Sequence, residues 1–195
     1  MIDFKNDEEL KKWLKNNFSL DKMTEEEIDQ EIINSFGQET LVELNAAAKL
    51  DSLNWRLCDL LDIEPIPVIF EEMEEDARYY FDGNYIAIST KFIYDEQEQI
   101  KCLIHEVRHL YQRFCITHKD CKLIYANKLL ISQWKEDLKR DYHNIPDDEK
   151  ICMPIEVDAF AFTKFILKEW FNIDYHHYDL AYDTVLSLYI DKYYK

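Results

Sequence analysis

Residues 100–112 read IKCLIHEVRHLYQ. Apolar side chains at Ile100, Leu103, Ile104, Val107, Leu110 and Tyr111 recur at helical spacing, so the stretch forms a helix with one buried stripe. His105 and His109 stand one turn apart on that helix and project from the same face, where their imidazole nitrogens can converge on one cation. Glu106 lies about 100° around the helix from His105, beside that cation rather than on it. There it can take a proton from an activated water and deliver it to a leaving amine. This is the H-E-x-x-H arrangement with its mechanism. The competing reading is an acidic amphipathic helix whose histidines are ordinary surface or core residues.

A third ligand separates the two readings, because a catalytic zinc site combines three protein ligands with one open position. His118, His143, His176 and His177 are poor candidates, since none belongs to an H-x-x-G-x-x-H continuation. A carboxylate is the alternative, and PIEVDAFAF, residues 154–162, supplies it. Pro154 suits the first turn of a helix, where its missing N–H costs nothing. Glu156 follows within that turn, and the small Ala159 would let this helix approach the histidine helix closely. Asp158 is a rival ligand that points to a different face of the same helix.

Together, CLIHEVRHLYQ and PIEVDAFAF resemble the gluzincin metallopeptidases, in particular the small bacterial minigluzincins that include the ImmA/IrrE group. Those pair H-E-x-x-H with a downstream E-x-x-A-x-x-F/A helix after a short sheet, and the likeness covers about residues 38–175. The resemblance implies that His105, His109 and Glu156 hold zinc and that Glu106 is the general base and acid. It also implies hydrolysis of one or few protein substrates in the bacterial cytosol, each bound as an added strand along a sheet edge beside the histidine helix. The chain departs from the pattern at Phe160, where many gluzincins place an aspartate that orients a histidine. Tyr111, Tyr142 and His143 are candidates for an oxyanion donor, with packing roles as the alternative for each.

The rest of the chain bounds these readings. With 195 residues it can bury a core without disulfide staples, and its five cysteines lack any C-x-x-C pair. We expect mostly buried thiols in a reducing compartment. The N-terminus has no apolar leader and no stretch approaches a membrane span, so a soluble, cytoplasmic protein is expected. A formal net charge of −17 disfavours nucleic acid and favours basic protein or peptide partners; the plain alternative is that the charge serves solubility.

Two glycines and four prolines argue for long helices and short turns. The expected fold class is α+β: a mainly helical, zincin-like domain with a small sheet of about three strands next to the active-site helix. An N-terminal helical segment would occupy residues 1–37, with a helix over Asp7 to Phe18 and another opened near Thr24 by its capping box with Glu27. The metallopeptidase domain would occupy residues 38–195. In it we expect a helix from Gln38 to Ile63 ended by Pro65 and Pro67, then strands over Ile66–Phe70, Arg78–Phe81 and Tyr85–Ser89. The last two flank an Asp82-Gly83-Asn84 turn in which Gly and Asn tolerate positive φ. Helices follow over about 96–116, 120–141, 154–171 and 178–193, with a loop from His143 to Met153. Two other functional classes stay open at this level: a metallopeptidase fold used only for binding or regulation, and an acidic interaction protein in which the motif is accidental.

Overall fold

The computed structural model describes residues 24–140 and 144–194. The expected helix over Asp7 to Phe18, together with Tyr142 and His143, lies outside the described residues. The chain divides into two compact units, Met1–Asn45 and Ala46–Lys195. In the first, helix α1 (Glu25–Phe36) opens at the capping box: Thr24 Oγ1 accepts from the Glu27 N–H at 3.3 Å, and Glu27 Oε2 accepts from the Thr24 N–H at 2.8 Å. Gly37, at φ 95°, takes a backbone conformation that favours glycine and ends α1.

Helix α2 (Gln38–Leu61) continues into the second unit, where Leu50, Leu53, Leu57 and Leu61 form its buried stripe. It stops ahead of Pro65, because Asp62 adopts φ 57° and the Ile63 N–H turns back to the Cys58 carbonyl at 3.0 Å. Buried Asn54 donates to the Ile66 carbonyl at 2.8 Å, which fixes the chain as it enters the sheet.

The sheet is three-stranded and mixed, consistent with the expected α+β class. Strands β1 (Val68–Glu71), β2 (Ala77–Tyr80) and β3 (Tyr85–Ser89) lie in the order β1-β3-β2. Central β3 runs parallel to β1 and antiparallel to β2. Ile86, Ala87 and Ile88 are fully buried, as a central strand beneath helices requires. In the β2–β3 turn only Asn84 has positive φ, at 52°. At Gly83 the contact is different: a Cβ there would fall 2.4 Å from the Tyr85 ring, which would have to shift.

Helix α3 (Glu96–Thr117) starts at Asp95, whose side chain accepts from the Glu98 N–H at 3.1 Å. Leu103, Ile104, Val107 and Tyr111 are fully buried, so the stripe predicted from the sequence faces the core. The next helix is shorter than expected. Residues 118–127 are irregular, and α4 covers only Lys128–Asp137, capped by Asn127. A helix over 120–127 would consume carbonyls that other groups use here: Lys122 O accepts from Tyr111 Oη, and Ile124 O and Tyr125 O accept from the Arg108 guanidinium. A disulfide between Cys115 and Cys121 ties this segment to the end of α3, correcting the expectation of unpaired thiols. Cys58 and Cys102 are buried, and burial pushes both thiols up to about 12, whereas Cys152 is exposed.

One helical turn, α5 (Asp147–Lys150), sits in the expected loop before α6 (Pro154–Phe171). Helix α7 (Leu180–Tyr193), capped by Asp179, packs on α6, and α6 packs on α3. Among the described residues no helix is long and apolar enough to cross a membrane.

Candidate metal centre

Two helices and one strand build the site. On α3, His105 and His109 occupy one face, with ring centroids 4.6 Å apart. On α6, Pro154 opens the helix and Glu156 falls in its first turn, where the positive end of the helix dipole favours a carboxylate. Ala159, one turn later, is fully buried. The Nε2 atoms of His105 and His109 lie 3.0 Å apart. Glu156 Oε2 is 3.3 Å from His105 Nε2, and Oε1 is 3.5 Å from His109 Nε2. One ligand atom from each of the three residues lies within 4.8 Å of the others, so this set could hold a metal ion.

The donor chemistry fits a cation. Gln112 Nε2 donates to the Ile155 carbonyl at 2.8 Å and to Asp158 Oδ2 at 2.7 Å, which orients the amide. Its Oε1 therefore faces His109 Nδ1, 2.8 Å away, and an amide oxygen can only accept. The proton of neutral His109 thus sits on Nδ1, leaving a lone pair on Nε2 toward Glu156. Electrostatics make the same demand for positive charge. Burial works to lower the His109 pKa, but the Glu156 carboxylate overrides it and holds it up at about 10. Burial would raise the Glu156 carboxyl, yet His109 and His105 hold it well below the usual range.

Glu106 stands beside the trio. It is buried and accepts, through Oε2, from the Tyr79 N–H of β2 at 2.7 Å. The register explains why that N–H is available. Ser89 N donates to Asp76 O, so alternation along the antiparallel pair turns Arg78 and Tyr80 toward β3 and Ala77 and Tyr79 off the outer edge. A cleft of about 680 Å³ runs past this edge, lined by Tyr79, Phe81, His105, Glu106, His109 and Glu156 among others.

Other expected participants lie elsewhere. Asp158 is fully buried and faces away from the trio. It receives a two-pronged bond from Arg108 (Nε to Oδ2 2.7 Å, Nη2 to Oδ1 3.0 Å) and the hydroxyls of Tyr194 (2.6 Å) and Tyr189 (3.2 Å). That saturates it as an acceptor. Burial raises both tyrosines far above their ordinary range, so they remain donors. Tyr111 is turned into the core, donating to Lys122 O and accepting from the Ile124 N–H, and is no oxyanion donor in this arrangement. Phe160 packs its ring edge-on against His105 at 4.6 Å, so apolar contact stands where the resembling pattern has an orienting aspartate.

Sequence reasoning missed Gln112, Arg108 and Arg113. Gln112 had a signal, since it lies three residues beyond His109 and so beside it on the helix. No protein-family model matches the chain, and no curated protein or solved structure matches it.

Proposed function

We propose that the protein is a zinc-dependent peptidase that hydrolyses peptide bonds of one or few protein substrates. The observation that carries this reading is the convergence of His105, His109 and Glu156 on one point, with Glu106 alongside in the same cleft. Zinc bound there would polarise a scissile carbonyl and acidify a water.

The chain's own residues supply the rest. Glu106 has Oε2 held by the Tyr79 N–H, which leaves Oε1 to take up an attacking water. As general base it takes the proton, and as general acid it delivers that proton to the leaving amine. Burial of Glu106 and Glu156 keeps bulk water from competing for these bonds. The outer edge of β2 offers Ala77 and Tyr79 backbone groups to an extended peptide, and pairing there would lay its backbone across the cleft. In such a complex the Tyr79 N–H can pass from Glu106 to the substrate, freeing the carboxylate as the substrate arrives.

Glu106→Gln tests this reading, because it keeps size and hydrogen-bonding reach but removes basicity. The variant should retain zinc while cleavage of protein substrates falls by about 10²–10⁴-fold. Cleavage at the parent rate would refute the assignment, and a zinc-loaded parent that cleaves no candidate substrate would favour a binding role for the same fold.

A further inference from the structure

The carboxylates lining the cleft are all engaged. Glu75 is paired with Arg78, Asp137 Oδ2 accepts from the Ile155 N–H, Glu106 accepts from the Tyr79 N–H, and Glu156 sits between two histidines. In the same cleft, Arg113 has no carboxylate partner among the described residues. It lies one turn beyond His109, about 6 Å along α3. Its guanidinium carbon is 3.8 Å from the centroid of the Phe81 ring, and its buried Nε has no hydrogen-bond partner. Arg78, in the same cleft, and Arg108 and Arg140 each pair with an acid, and Arg56 rests on Trp170. In a chain with 40 acidic residues against 23 lysines and arginines, a cleft arginine without an acid stands out.

A guanidinium lying over a ring face keeps its in-plane N–H donors available as a fork that matches a carboxylate. We propose that Arg113 makes the cleft selective for substrates bearing a carboxylate on the Phe81 side of the site, either an aspartate or glutamate side chain or a free C-terminus. This rests on the peptidase reading and names its substrate class. Phe81 directly follows β2, so a peptide paired along the β2 edge would run past both the catalytic carboxylate and this cation. The net charge of −17 repels an acidic substrate at long range, but salt screens that repulsion beyond about 8 Å, whereas a bond inside the cleft is little screened.

The test uses zinc-loaded full-length protein and calorimetric titration with short peptide hydroxamates, whose zinc-binding group anchors them without any turnover. Four probes form two pairs: glutamate against glutamine in the side chain, and a free C-terminal acid against its amide. We expect the acid of one pair to bind about tenfold tighter than its neutral partner, and which pair responds identifies the source of the carboxylate. Arg113→Gln should bring that ratio toward one, and Arg113→Lys should restore part of it. Zinc content of each variant reports that the site is still built. Equal affinities within both pairs, in protein that holds zinc and binds the hydroxamates, would overturn the carboxylate proposal alone. Protein that neither holds zinc nor binds any hydroxamate would overturn the peptidase reading and this proposal with it.

Discussion

Gln112 accepts the Nδ1 proton of His109 at 2.8 Å. The side chain is oriented from behind by Asp158 and the Ile155 carbonyl, so an acid on α6 decides which nitrogen of a histidine on α3 carries the proton. Gln112→Leu keeps the volume roughly but removes all three bonds. It should weaken zinc binding by about 10–100-fold, measured by competition with a chelator of known affinity. Unchanged affinity would mean that the His109 tautomer does not depend on Gln112.

Behind Gln112, Arg108 and Asp158 form a fully buried, two-pronged pair. Removing one partner leaves a buried charge uncompensated, so Asp158→Ala or Arg108→Ala should each cost about 3–5 kcal/mol in denaturant unfolding. The double variant should cost well under the sum, because it buries no lone charge. Strict additivity would show that the pair is not coupled.

The α6–α7 contact has its own pH signature. Asp183 receives Lys164 Nζ at 2.6 Å, His176 Nδ1 at 3.2 Å and the His177 N–H at 3.0 Å. Burial alone would raise its pKa, but these partners bring it down from 3.8 to about 2. A depressed carboxylate stabilises the fold above its unfolded pKa, and that contribution is lost as pH falls from about 4 to about 2. Asp183→Asn should therefore be less stable than the parent at pH 7, by about 1 kcal/mol, and the gap should close across that window. Urea midpoints of both proteins over the pH range decide it; a constant gap would contradict the ionic origin.

How much the amino-acid sequence discloses depends on the range of the interactions involved. The Thr24–Glu27 cap, the leucine stripe of α2 and the buried face of α3 are local patterns, fixed within one or two turns. The His105, Glu106, His109 and Glu156 set is legible because its members are spaced by helix geometry and Pro154 marks where the second helix begins. The irregular stretch 118–127 is not, since its carbonyls are claimed by Arg108 and Tyr111 from a neighbouring helix. For the same reason Asp158 reads locally as a rival ligand: its acceptors are filled by Arg108 and by tyrosines 31 and 36 residues away.

Elemental analysis of the purified parent beside the His105→Ala/His109→Ala double variant tests the metal centre most directly. The parent should carry stoichiometric zinc, and the double variant, which leaves only Glu156 of the trio, should carry none while its folded state persists. Zinc retained in the double variant at the level of the parent would contradict the site.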